Sequence, residues 1–442
     1  MTSSRPYVAA LLRLAGPVAL ARLGIIGMAI VDVVMVGQLA PDELPHQALG
    51  WAPTAVFLVA AIGLLQGVQV LAARVLGERK PKGAGVVLRR GLVVALFAGL
   101  LSAGLLWIAG ERLFTVFGIA EGLAAPSARV MAVLAWSVPL HLFYIASTYF
   151  LEAIKKPGIS TVVMWLANIV NFGLNWLWVP QHGAIGSAWA TFGARVFLAG
   201  AIMLCIWFLR DRDHYGVRDL KAEGPSYRAL LAVGLAAMVS QAVEAGAFSS
   251  MTVIAGRLGE HVVAAYQILL NLTALVFMVA LGLAAATAVL VSEAVGRKAP
   301  ADAARAGWTG LGLNTIAMIV LGVLIVAFAA PIGRLYTADA ALAALIASLI
   351  WTTALVLVPD GGQVVAASAL RARGDNWFPT FSHILAYAAV MPLLGYWLGE
   401  HEGMGVAGLF FAIFWSSVLS VSVLLARWWA LSRSALPASA QS

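Results

Sequence analysis

The sequence predicts an all-α integral membrane protein, with twelve transmembrane helices in two six-helix bundles related by a pseudo-two-fold axis along the membrane normal. Three observations predict it. Of 442 residues, 62% are hydrophobic and only 11% charged, where soluble domains carry about 25% charged residues. The apolar residues gather into runs of about 20 or more, the length a helix needs to cross a bilayer. Short motifs of the first half return in the second half at one constant displacement of 219 residues.

The runs fall at 14–39, 49–72, 86–109, 129–151, 159–179 and 184–209, and again at 229–256, 262–291, 308–330, 342–369, 379–398 and 405–430. They are expected to be helices because lipid offers backbone N–H and C=O groups no partners, and none shows the alternation of a barrel strand. The first run is too long for the apolar region of a cleaved signal and has no small-residue cleavage site after it, so it is expected to be the first span. Residues 1–209 and 229–442 are the expected six-helix lobes, with 210–228 a charged cytoplasmic linker and a short disordered tail at the C-terminus.

Basic residues set the orientation, because cytoplasmic loops are rich in Lys and Arg. Of the 28, the loops that share the N-terminal side hold 22, from Arg5 and Arg13 through Arg74 to Arg90, Lys155 and Lys156, the linker, Arg297 to Arg305, Arg371 and Arg373, to Arg427 and Arg433. The other side holds Arg112, Arg129, Arg257 and Arg334, and Arg22 and Arg195 lie within spans. Both termini are therefore expected in the cytoplasm. A net charge of +8 distributed in this way is not the basic face that nucleic acid requires. Trp107, Trp178, Trp207, Trp397, Trp428 and Trp429 near span ends are expected as interfacial anchors. The single cysteine, Cys205, excludes an intrachain disulfide.

The repeat superposes Gly63 on Gly282, Gly77 on Gly296, and Leu151-Glu-Ala on Leu370-Arg-Ala. Six is an even number, so both halves enter the membrane in the same direction, and a site is expected between them.

Three carboxylates interrupt the apolar spans: Asp32, Glu244 and Asp360. Each costs about 2.5–3.5 kcal/mol at a helix centre and marks an ion or substrate pathway by default. Asp360 stands out, preceded by Pro359 and followed by Gly361 and Gly362. The repeat superposes none of the three; it places Asp360 on His141. Arg22 or Arg195 could pair with one of them across helices. Asn168, Asn171 and Asn175 share one helix face at spacings of three and four, with Thr191 on the next span. These amides could act as interhelical glue or help Asp32 hold a proton or cation.

Together these motifs resemble the multidrug and toxic compound extrusion (MATE) family, in its NorM-like branch. The resemblance rests on Leu14-Ala-Gly-Pro17, Asp32-Val-Val-Met-Val-Gly37, Glu244 in Gln-Ala-Val-Glu-Ala-Gly-Ala-Phe, Ala264-Ala-Tyr-Gln-Ile with Asn271, Gly282-Leu-Ala-Ala-Ala, and the segment Pro359 to Asp375. It implies two lobes around a central cavity and export of cationic or amphipathic drugs against proton or sodium entry. It further implies Asp32, Glu244 and Asp360 as the coupling acids, and Asn171, Asn175 and Thr191 as polar supports of Asp32. The stretch before Asp360, Leu-Val-Leu-Val-Pro, lacks the aromatic that the family pattern leads one to expect.

The function expected is secondary active multidrug antiport by alternating access. The expected setting is the bacterial inner membrane, and the expected transporter is a monomer with no cofactor beyond the coupling ion and no metal beyond sodium at those acids. A flippase for lipid-linked intermediates would call for more basic residues within the spans than Arg22 and Arg195. A membrane enzyme would call for a nucleophile-base or metal constellation, and His141 and His383 are scattered along the chain.

Overall fold

The structure, a computed structural model, describes residues 5–116, 119–337 and 339–433; the expected C-terminal tail lies outside the described residues. It is helical throughout: α1 (Arg5–Leu39), α2 (Leu44–Leu64), α3 (Gln66–Gly77), α4 (Lys82–Val116), α5 (Glu121–Ala153), α6 (Pro157–Trp207), α7 (Tyr227–Arg257), α8 (Glu260–Gly296), α9 (Pro300–Ala327), α10 (Ala329–Tyr336), α11 (Ala340–Arg373), α12 (Trp377–His383), α13 (Met391–Leu394) and α14 (Gly405–Arg433). Among the described residues, eleven helical stretches are long and apolar enough to cross a membrane. The longest, α6, has 51 residues and is broken at Gly183 (φ 55°, ψ −135°), so it makes two spans and the total is twelve. Glycine is needed at this break for its positive φ. The Glu43 carboxylate accepts a 3.4 Å bond from the backbone N–H of Ala184, at the start of the second half of α6, where an anion is favoured by the helix dipole.

The chain divides into two compact units, Leu20–Met238 and Met1–Ala19 with Val239–Ser442. These boundaries fall inside α1 and α7 rather than in the linker, because small residues tie the start of each of those helices to its unit. In the first unit, α7 lies on a Gly63-x-x-x-Gly67 stripe, and a methyl group on Gly234 would sit 2.0 Å from the carbonyl oxygen of Leu64. In the second unit, α1 meets Gly282, where a methyl group would sit 2.7 Å from the carbonyl oxygen of Ala15. Close backbone approach at small residues is how helices associate where lipid removes the hydrophobic drive. Gly234→Ala is therefore expected to cost about 1–3 kcal/mol by overpacking, seen as a lower unfolding temperature in detergent. Gly104→Ala, where a methyl group meets nothing within 4 Å, serves as the control and should lower it not at all.

The duplication reaches down to backbone detail. Helices α3, α5, α8 and α11 all end in the same cap, a residue in the left-handed region: Arg79 (φ 60°), Lys155 (φ 62°), Lys298 (φ 56°) and Gly374 (φ 108°). Each next N–H reaches back five residues, from Lys80 to Val75, Lys156 to Leu151, Ala299 to Ala294 and Asp375 to Leu370, at 2.8–3.0 Å. This is the Schellman closure of a helix C-terminus, and the 219-residue displacement superposes Arg79 on Lys298 and Lys155 on Gly374. Within the first unit α5 packs on α2, α4 and α6; within the second its repeat counterpart α11 packs on α8, α9 and α14. Both are the central helices of their units.

Several basic loop residues make specific contacts. Arg89 donates to the carbonyls of Gly216, Val217 and Asp219 at 2.7–3.0 Å, and Lys156 and Lys82 pair with Asp211 and Asp219 at 2.6 and 3.0 Å, clamping the linker. The Lys156 ammonium holds the Asp211 carboxyl below its usual range. Arg371 is buried rather than in a loop. Trp428, expected as an interfacial anchor, is also fully buried, its indole filling the space left by Gly307, whereas Trp107, Trp207, Trp397 and Trp429 are exposed.

Candidate functional site

Asp32 projects from α1 two turns before its C-terminal end and is buried. Its Oδ1 accepts from Asn171 Nδ2 at 3.0 Å and Asn175 Nδ2 at 2.8 Å, and its Oδ2 accepts from Thr191 Oγ1 at 2.5 Å. Asn175 and Thr191 are 16 residues apart, about 24 Å along a straight helix. Both reach one carboxylate because α6 turns back at Gly183. Asn168 stands apart from this group and donates to the carbonyls of Gly24 and Met164 at 3.0 and 2.9 Å, so it ties α6 to α1. The carboxamide oxygens of Asn171 and Asn175 are buried without a hydrogen-bond partner.

Asp32 lines a cavity of about 420 Å³ inside the first unit, within the size range of small-molecule sites. The walls are apolar, built from residues such as Ile25, Met28, Leu58 and Leu134 of α1, α2 and α5. Its polar lining is Asp32, Gln47, His141, Ser187, Thr191 and Arg195. Arg195 makes no ion pair with Asp32 but lies in electrostatic reach of it; its guanidinium lies 5.7 Å from the ring centre of Trp51, and its Nη1 donates to Ser137 Oγ at 2.7 Å. Nor does Arg22. It pairs with Glu152 at 3.6 Å and lies over the Tyr149 ring at 5.3 Å, while Gln69 Nε2 donates to Glu152 Oε2 at 2.5 Å.

The second unit holds Glu244 and Asp360. Asp360 accepts at Oδ1 from Tyr387 at 3.3 Å and Ser417 at 3.2 Å, and these two hydroxyls lie 3.1 Å apart. Gln363, one turn along α11 from Asp360, donates to Glu244 at 3.3 Å. His383 bonds Ser240 Oγ through Nδ1 at 2.6 Å, and the same nitrogen is 4.0 Å from Glu244. Its ring stands edge-on to Tyr387 at 5.4 Å. Glu244 and Asp360 thus belong to one polar chain that also holds Gln363, His383, Tyr387 and Ser417, with Arg371 in electrostatic reach of Glu244.

The sequence pattern missed Gln363, His383, Tyr387 and Ser417 as partners, and the Arg22–Glu152–Gln69 cluster. Gln363 had a usable signal, its position one turn after Asp360. Tyr387 supplies an aromatic hydroxyl to Asp360 from another helix, in a π-helical stretch, Ile384–Val390, between α12 and α13. Such wide turns gather at functional sites. Glu152 is the residue that the repeat places on Arg371, so the buried charge inverts between the units. Glycines 361 and 362 leave α11 continuous through Pro359: a methyl group on Gly361 would lie 2.9 Å from Asn314, and one on Gly362 3.1 Å from Val421. Among the described residues no three His, Cys, Asp or Glu side chains are grouped to hold a metal.

The MatE family matches the chain over residues 17–177 and again over 236–397, the two matches starting 219 residues apart. The chain is 40% identical over 424 residues to the probable multidrug resistance protein NorM of Caulobacter vibrioides, covering 94% of this chain and 90% of that one. With the protein of the same name from Mesorhizobium japonicum it shares 30% over 448 residues, 98% of this chain and 96% of the other. Its fold is that of a multidrug resistance MATE family transporter solved in an outward-facing conformation (TM-score 0.89, 20% identity, 98% and 97% covered). It is also that of a eukaryotic MATE transporter (TM-score 0.87, 16% identity, 98% of each chain). By both sequence and fold, this chain belongs to the MATE family.

Proposed function

We propose that the protein is a multidrug efflux antiporter that exports cationic or amphipathic compounds in exchange for protons or sodium ions by alternating access. The observation that carries this reading is Asp32: a buried carboxylate, held by three side-chain donors, on the wall of an apolar cavity large enough for a drug. A charge is kept in such a place only if it is paired or put to use. The polar set around it, a carboxylate, two carboxamides and a hydroxyl, suits either a proton on Asp32 or a small hard cation among oxygen atoms. Turning either amide over would present its oxygen inward, since O and N are assigned from the hydrogen-bond network.

Glu244 and Asp360 form the second coupling group of this reading. An ion taken up from outside neutralises the acids, and a ligand shifts two states only by its different affinity for each. Competition between coupling ion and drug for the same charges supplies that difference. In this reading the protein is a monomeric inner-membrane transporter, not an enzyme, with both termini in the cytoplasm.

The test is ethidium transport by purified protein in proteoliposomes, with sodium and proton gradients imposed separately. Transport is expected to follow at least one gradient and to collapse when that gradient is dissipated. Ethidium movement indifferent to both would sink the antiport reading.

A further inference from the structure

We propose that the end of α6 and the linker that follows it form a binding site for an anionic phospholipid, with Arg212 and Arg218 holding its phosphate and Trp207 as the platform beneath them. None of these residues lines the cavity that holds Asp32.

α6 ends at Trp207, and the linker folds back over that end. Arg212 Nη1 donates to the Trp207 carbonyl at 3.0 Å and Arg218 Nη2 to the same oxygen at 3.4 Å, while the Arg218 guanidinium lies 3.9 Å from the centre of the Trp207 ring. Two cations thus converge on one neutral acceptor. Capping a helix C-terminus accounts for one arginine; a second at the same oxygen adds like-charge repulsion. The linker carboxylates are largely committed elsewhere, Asp211 to Lys156 at 2.6 Å and Asp219 to Lys82 at 3.0 Å. Asp213 comes only within 3.9 Å of Arg212 Nε and is itself open to solvent. Among the described residues Arg218 has no carboxylate at ion-pair distance. An anion with several oxygens relieves the repulsion, and guanidinium forks match phosphate oxygens in pairs.

The apolar surroundings select which phosphate. Leu204, Trp207 and Phe208 are exposed on the last turn of a helix long and apolar enough to span the membrane, and Leu220, two residues after Arg218, is 84% exposed. Aromatic side chains beside basic ones at the end of a span are placed where headgroups lie. A free phosphate would engage the arginines and leave these apolar side chains in water; a phospholipid engages both, its phosphate on the guanidinium groups and its acyl chains along Leu204 and Phe208. Arg210 and Lys221, both exposed, flank the pair. They favour a headgroup that adds no cation of its own.

The test places the full chain in phosphatidylcholine vesicles that carry a trace of photoreactive lipid, labelled in the acyl chain near the glycerol, with either a phosphatidylglycerol or a phosphatidylcholine headgroup. After irradiation, adducts on residues 204–220 are measured by peptide mass spectrometry relative to adducts on residues 93–108, the exposed apolar face of α4. This ratio is expected to be about fivefold higher or more for phosphatidylglycerol. Arg218→Gln, which leaves Arg212 to cap α6, should lower the phosphatidylglycerol ratio by about fivefold, and Arg218→Lys should lower it less. Arg305→Gln removes an exposed cation of α9 and should leave it unchanged. Equal ratios for the two headgroups, or a ratio that Arg218→Gln does not move, overturn the site. An equal fall in Arg305→Gln overturns it too, in favour of net charge alone. Loss of the signal to inorganic phosphate at the concentration of the labelled lipid overturns the lipid as occupant.

Discussion

Asp360→Asn is expected to abolish gradient-driven export in proteoliposomes, a loss of at least tenfold, with the protein still folded. The substitution preserves shape. Asn can still accept from Tyr387 and Ser417, which bond a single oxygen of Asp360 at 3.3 and 3.2 Å, so packing around Pro359 and Gly361 is undisturbed. What it removes is the capacity to gain and lose a proton or to hold a cation by charge. Tyr387→Phe removes one hydroxyl donor and leaves the carboxylate, and should weaken export less. Undiminished export by Asp360→Asn, with transport still tied to the imposed gradient, would take Asp360 out of the coupling set and leave that task to Asp32 and Glu244.

Arg22→Met should destabilise the protein by about 3–5 kcal/mol, because it leaves Glu152 buried without its charge partner. Glu152 is 2% exposed, with Arg22 at 3.6 Å and Gln69 at 2.5 Å. Gln69 alone satisfies one oxygen and balances no charge. The double variant Arg22→Met, Glu152→Met removes both charges and should recover most of that loss, since exchanging a whole buried pair for apolar volume is often neutral or stabilising. Unfolding in detergent for the two single variants and the double one closes a cycle whose coupling measures the pair. A double variant as unstable as the sum of the singles would show that the two side chains do not act together.

The parts of this molecule legible in its sequence are those written in periodicity. Apolar run length gave twelve spans, and the amide spacing placed Asn171 and Asn175 on one face. The constant displacement read in the sequence returns in the caps of the structure, where it superposes Arg79 on Lys298 and Lys155 on Gly374. In the structure Asn171, Asn175 and Thr191 donate to Asp32. What the sequence could not give was the choice of partner between helices. Arg22 and Arg195 were both open partners for Asp32, yet they turn to Glu152 and to Ser137 with Trp51. Which side chains meet across two helices depends on their relative rotation and height, and these are set by contacts such as Gly234 on Leu64 that leave no periodic mark. Tyr387 was hidden for a related reason: the π-helical turn that aims it shifts the helix face away from the 3.6-residue register. Trp428 next to Trp429 shows the same limit, one indole fully buried and its neighbour at the surface.

The left-handed caps set protein stability against protein insertion. At Arg79, Lys155 and Lys298 a side chain occupies a backbone conformation that only glycine adopts freely, at a cost of roughly 1–2 kcal/mol each; at the fourth cap Gly374 avoids it. In the proposed orientation those same three side chains are among the cytoplasmic positive charges that guide insertion. A version with glycine at all four caps would be the more stable folded protein and the less certain one to thread the bilayer the right way. If the chain has the proposed orientation, the same three residues carry both the orienting charge and the backbone strain.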